Sequence, residues 1–189
     1  EALSIEANYH EMYVVSDEWV QERLKQACID GYVTVAFGLR VRTPLLARTY
    51  LNSKNTPYAA TAEGRTAGNA LGQSYGLLNS LAGNKVMADV WDSEFELDIR
   101  PAAQIHDALY FMVRQDLPAL TYLNESVGTH MSWQGLPEIQ HPEVRLSGEL
   151  DVFYPNWAHD VTLPNHSTQD EIKVLVNDHF VEMQELGYV

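Results

Sequence analysis

Apolar positions along this chain change period several times, and each change marks an element. Between residues 6 and 30 they recur at helical spacing, through Tyr13, Trp19, Val20, Leu24 and Cys28. This predicts a helix over about 18–29, with Asp17 as its cap and Gly31 as its stop. Residues 32–37 are β-branched and aromatic, Gly38 offers a turn, and residues 39–45 return, so a hairpin is expected with Pro44 near its end. The polar stretch 48–60, with Tyr50, Asn52, Ser53, Asn55 and Pro57, reads as a loop. The longest helical signal covers residues 62–91, where Leu71, Tyr75, Leu78, Ala82, Val86 and Val90 keep steps of three or four.

The second half repeats the alternation. An acidic break at 92–98 precedes two apolar runs, 99–105 and 108–113, that predict a second hairpin bent at His106-Asp107. Residues 116–131 predict a helix with Asp116 as N-cap and Pro118 in the first turn. A loop over 133–143 and a strand over 144–153 follow. Thr168 and Glu171 form a capping box ahead of an amphipathic helix carrying Ile172, Leu175, Val176, Phe180, Met183 and Leu186. Hairpins without crossover helices predict an α+β fold with an antiparallel sheet, not a doubly wound one.

Composition narrows the picture. The chain has 189 residues, 46% of them hydrophobic, enough for one domain with a core or a large piece of one. Cys28 is the single cysteine, which excludes an internal disulfide and suits a reducing, cytoplasmic compartment (that of the host, for a viral chain). No apolar run approaches the roughly 18 residues of a membrane span, so no membrane partner is expected. The first residues lack the features of a signal peptide and an initiating Met, which predicts a processed product or a fragment. The net charge of −14 argues against nucleic acid, but its distribution does not. Arg40, Arg42, Arg48, Lys54 and Arg65 share a segment with one acid, Glu63, whereas residues 116–189 carry twelve acids against Arg145 and Lys173. An anionic partner is therefore permitted at one face only.

Two constellations stand out. Gly68, Gly72 and Gly76 fall four apart in the long helical stretch, and each costs about 1 kcal/mol relative to Ala there. Either another helix packs closely against them, or a ligand approaches the backbone. Asn69 and Gln73 share the neighbouring face. Their amide donors suit the N3 and O2 acceptors that every base pair presents in the minor groove. Asp107, at the bend of an apolar hairpin, is either a turn aspartate capping its own hairpin or a carboxylate placed for a cation.

In order along the chain stand Gly31-Tyr32-Val33-Thr34-x-x-Gly38-x-Arg40-x-x-x-Pro44, Arg65-x-x-x-Asn69-Ala70-x-x-Gln73, Gln104-Ile105-His106-Asp107 and Asn156-Trp157-Ala158-His159. This ordered set resembles the C-terminal end of family A DNA polymerases, those similar to DNA polymerase I and especially phage versions, over roughly residues 10–159. The resemblance implies a partial polymerase domain: a remnant of the fingers and a hairpin in residues 1–60, and a palm with a long central helix and the His-Asp hairpin in 61–159. A C-terminal helical extension, 160–189, has no counterpart in the family. It further implies that Asp107 is the catalytic, metal-holding aspartate of a pair of Mg²⁺ ions. His106 would touch the primer terminus, and Arg40, Arg65, Asn69 and Gln73 would contact DNA.

The departures are specific. Ala108 stands where most of the family has Glu, and Leu39 replaces one arginine of the usual Gly-Arg-Arg turn. The family's other metal-binding aspartate and its nucleotide-gripping fingers helix would lie upstream of Glu1. One carboxylate cannot organise two ions. The chain alone is therefore expected to be inactive and to require an upstream polymerase chain, primer-template DNA and dNTP. Two other readings compete: a non-catalytic protein-interaction subunit of a replication complex, suggested by the acidity and the final amphipathic helix, and a phosphohydrolase built on His106-Asp107 and His159-Asp160.

Overall fold

The computed structural model describes residues 2–49 and 57–189. Most of the expected 48–60 loop, including Tyr50, Asn52, Ser53, Lys54 and Asn55, lies outside them. The fold is mixed α+β, and its antiparallel pairings form three separate two-stranded sheets among the described residues. The single palm-like sheet expected from the sequence is not among them. The chain divides into two compact units, Glu1–Tyr75 and Gly76–Val189.

In the first unit, helices α1 (Ala2–Met12) and α2 (Val14–Asp30) lead into strands β1 (Tyr32–Thr34) and β2 (Arg40–Arg42), and α3 (Tyr58–Gln73) closes it. Helix α2 starts earlier than the sequence suggests. Its N-cap is Tyr13, and Asp17 sits in the first turn, bonded to His10 Nδ1 at 2.5 Å. An acid in a first turn is favoured by the helix dipole whether or not it caps, so Asp17 marked the region but not the boundary. Gly31 does end α2, at φ 75° with its N–H on the Ala27 carbonyl. The first hairpin is shorter than expected. Strand β1 stops at Thr34, and Phe37 and Gly38 form the bend at φ 60° and 72°. Two successive left-handed residues match the right-handed twist of a hairpin. The core joins Leu24 and Ala27 of α2, Val33 and Val35, Leu46, and Ala67 and Leu71 of α3.

The stretch expected as one helix over 62–91 is two. Helix α3 ends at Gln73, a 3-10 turn spans Ser74–Gly76, and α4 runs Leu77–Trp91. Gly72, Ser74 and Gly76 are weak helix formers, and the Ser74 hydroxyl donates to the Leu71 carbonyl while accepting the Ala36 N–H.

In the second unit, α4 is followed by β3 (Ile99–Ile105), β4 (Ala108–Val113), α5 (Leu117–Met131), β5 (Leu150–Phe153), β6 (Asp160–Leu163) and α6 (Gln169–Glu185). Strands β3 and β4 match expectation to the residue, with Ile105 opposite Ala108 and a register shift near Pro101. Asp116 caps α5 by accepting the Ala119 N–H at 3.2 Å. The strand expected over 144–153 is confined to β5, because Gln134 replaces a partner strand over its first part: its side-chain amide donates to the Val144 carbonyl and accepts the Leu146 N–H. Strand β6, not foreseen, pairs with β5. Thr168 and Glu171 form the capping box of α6 as expected. The core packs Val86, Met87 and Val90 of α4 against Ile99 and against Ala119, Leu123 and Val127 of α5.

Candidate active-site hairpin and nucleic-acid face

Within the first unit, Arg65, Asn69 and Gln73 are all exposed on α3, four residues apart, so they share one face. The Arg65 guanidinium lies 6.0 Å from the Tyr58 ring, and Arg40 stacks over Tyr32 at 4.5 Å. Among the described residues none of Arg40, Arg42, Arg48 and Arg65 has an acidic partner. The one acid of this segment, Glu63, is engaged elsewhere, accepting the Leu45 and Leu46 N–H groups at 2.8 and 2.7 Å. All four arginines are exposed.

The glycines divide into two kinds. Gly68 meets α2, where an added Cβ would lie 3.5 Å from Val20, and Gly64, which the sequence reading passed over, is buried against Leu46. Gly72 and Gly76 face open space. Close packing, against α2 for Gly68 and against the 46–48 turn for Gly64, accounts for the first pair and not for the second.

Within the second unit, His106 and Asp107 form the two-residue bend between β3 and β4, both exposed. His106 takes φ 54°, the left-handed conformation such a bend requires. The hairpin leans on α4 at three points. Asn79 Nδ2 donates to the His106 carbonyl at 3.5 Å, Gln104 Nε2 donates to Ser80 Oγ at 2.8 Å, and Leu109 packs over Gly83, where a Cβ would sit 3.0 Å from its methyl. Asn79 is itself 6% exposed. The bend is thus fixed in place while the Asp107 carboxylate stays free, with no hydrogen bond or ion pair among the described residues. Asp107 faces solvent.

Among the described residues no group of three or more His, Cys, Asp or Glu side chains is arranged to hold a metal ion. Asp107 supplies one carboxylate, so the residues present do not by themselves form a site for a pair of Mg²⁺ ions.

The segment Asn156-Trp157-Ala158-His159 joins β5 to β6. Asn156 Oδ1 accepts the Ala158 N–H at 2.9 Å, and the Tyr154 N–H donates to the His159 carbonyl at 2.9 Å, which closes the turn. Trp157 stacks on Tyr110 of β4 with ring planes 8° apart. The last motif segment is thereby brought onto β4, the strand that follows His106-Asp107. Sequence reasoning did not find Tyr110, because residues 108–113 show no alternation that singles it out.

A further polar cluster links α4 and α5. His130 Nε2 and Ser126 Oγ both bond to Asp89 Oδ2, at 2.6 and 3.1 Å. The hydrogen bond from His130 lowers the Asp89 carboxyl below its ordinary value; burial opposes this, and Ser126 adds to it. Ser126 bonds to the acid and not to the histidine, so the trio lacks the nucleophile–base contact of a catalytic triad. It staples two helices.

No protein-family model, curated protein or solved structure matches this chain. No helix among the described residues is long and apolar enough to cross a membrane.

Proposed function

We propose that this chain is the C-terminal part of a DNA-directed DNA polymerase of the family A type, active only with an upstream chain, in template-directed addition of dNMP to a primer 3′ end. The observation that carries this reading is Asp107: a solvent-facing carboxylate with no partner among the described residues, at the tip of a hairpin held to α4 by Asn79, Ser80 and Gly83. An unpaired carboxylate displayed on a rigid support is suited to shared coordination and is of little use to the fold.

Three further features support it. Arg65, Asn69 and Gln73 present guanidinium and amide donors in one exposed row, beside a glycine at position 72 that leaves the backbone approachable. Among the described residues Arg40, Arg42, Arg48 and Arg65 have no acidic partner, which leaves their guanidinium groups open to phosphate. Strand β4 pairs only with β3 among the described residues, so its outer edge is available to a strand of the upstream chain. In this reading the second carboxylate for the Mg²⁺ pair comes from that strand. Asp107 and His106 then act at the reacting end of the primer, and Arg40, Arg65, Asn69 and Gln73 hold the duplex.

The test is primer extension by the chain combined with its upstream part, with dNTP and Mg²⁺ present. Extension that requires both chains and is lost in Asp107→Ala supports the reading. An assembly that forms but ignores primed DNA would replace it with the interaction-subunit alternative.

A further inference from the structure

Helix α6 lies beyond every segment that carries the polymerase resemblance, yet its contacts converge on one of those segments. Its inward stripe is Ile172, His179 and Met183, all buried, with Leu175 and Val176 half-buried beside them. Phe180, which the apolar pattern placed in that stripe, sits at its border, 37% exposed. An imidazole in the middle of an apolar stripe is costly unless paired. His179 is 8% exposed, and its Nε2 lies 2.7 Å from the Tyr154 carbonyl. That carbonyl accepts, so Nε2 carries the proton.

The same turn is gripped twice more. Phe180 packs against the Tyr154 ring at 5.9 Å, and Tyr188 lies on the His159 ring at 4.2 Å. The start of α6 is anchored independently: Asn124 of α5, fully buried, donates to the Pro164 carbonyl and accepts the Ser167 N–H. The turn of residues 154–159 is thus held from α6 and from Tyr188 just beyond it, and the same turn carries Trp157, which lies flat on Tyr110. Tyr110 stands three residues from Asp107, about 10 Å along the strand at roughly 3.3 Å per residue.

We propose that α6 is a brace for the hairpin that bears Asp107, acting through the 154–159 turn, and that His179 is its positioning residue. The catalytic purpose of the brace rests on the polymerase reading; the mechanical link does not. A hydrogen bond to a single carbonyl sets where the turn sits, which apolar packing alone would leave free to slide. His179 touches neither substrate nor metal and works only through Tyr154, Trp157 and Tyr110.

The link is tested by amide hydrogen exchange on the full chain, comparing wild type with His179→Ala, His179→Gln and Tyr188→Ala. The Gln amide nitrogen occupies the place of Nε2 and keeps the donor to Tyr154. We expect His179→Ala to speed exchange about tenfold in residues 108–113 and 154–159, with residues 14–42 unchanged. His179→Gln should restore slow exchange, and Tyr188→Ala should reproduce part of the effect while leaving the buried stripe intact. Exchange that rises only within α6, or that Gln fails to restore, overturns the brace. In primer extension with the upstream part, His179→Ala should lower kcat about tenfold at unchanged KM for dNTP, with recovery in His179→Gln. Coupled exchange in a chain whose wild-type assembly never extends a primer would sink the polymerase reading and leave the brace standing. Intact kcat in His179→Ala despite coupled exchange would overturn its catalytic purpose.

Discussion

Trp157 lies flat against Tyr110, with ring centroids 5.2 Å apart and planes 8° from parallel. Offset stacking of this kind contributes about 0.5–1.5 kcal/mol beyond the area it buries. Trp157 is nevertheless 70% exposed, so the contact is a clasp at the surface and not part of the core. Among the described residues it is the one aromatic stack that joins the β5–β6 turn to β4.

A double-mutant cycle on Tyr110→Ala and Trp157→Ala should therefore show a coupling of about 1 kcal/mol in urea unfolding. Additive effects would mean that the rings touch without holding the turn.

Gly72 gives opposite expectations for stability and function. An Ala there meets no atom within 4 Å, and it should stabilise the chain by about 0.5–1 kcal/mol through helix propensity. If a duplex lies along this face, the added methyl group obstructs it. Gly72→Ala should raise the melting temperature while weakening primer-template affinity in the assembly. A variant that is more stable and binds DNA normally would leave Gly72 without a role.

Asp89 ties stability to pH. Its carboxyl is lowered from the ordinary 3.8, chiefly by the His130 hydrogen bond, so folding favours the ionised form. That contribution is present above pH 3.8 and is lost as pH falls through the lowered value. The side chain is 45% exposed, so screening keeps the effect modest. Asp89→Asn should melt below wild type at pH 7, and the gap should close below pH 3.8. A gap that persists into acid would trace the loss to packing instead of charge.

Helix α5 depends on its cap. Asp116→Ala removes the acceptor for the Ala119 N–H and should cost about 1 kcal/mol without altering the β3–β4 hairpin. Equilibrium denaturation measures it, and no change in midpoint would show that water replaces the cap.

How much of this was legible in the sequence depended on whether the signal was local. The β3–β4 hairpin, the Gly31 stop and the capping box at Thr168 could be read because each is decided by a few adjacent residues. The break between α3 and α4 was hidden because Leu71, Tyr75 and Leu78 keep steps of three and four through a 3-10 turn as they would through a helix. Residues 144–149 alternate like a strand, but Gln134, ten or more residues away, satisfies part of their backbone. Strand β6 is four residues long and offers too little pattern to notice. At the site, the shared face of Asn69 and Gln73 followed from helical spacing, and Arg65 entered through the family resemblance. The clasp of Trp157 on Tyr110, the Asn79 contact to His106 and the His179 contact to Tyr154 join distant residues, which no local period encodes. Asp107 was found by its place at the bend of the β3–β4 hairpin, which adjacent residues delimit by themselves.

The most direct measurement is primer extension by the two-chain assembly with Asp107→Ala, alongside the stability of that variant. Asp107 is exposed and bonded to nothing in the described residues, so the substitution should shift unfolding free energy by no more than about 0.5 kcal/mol. Assembly with the upstream part should persist, and extension should fall to background. Extension at the wild-type rate from a folded, assembled Asp107→Ala chain would contradict the account at its centre.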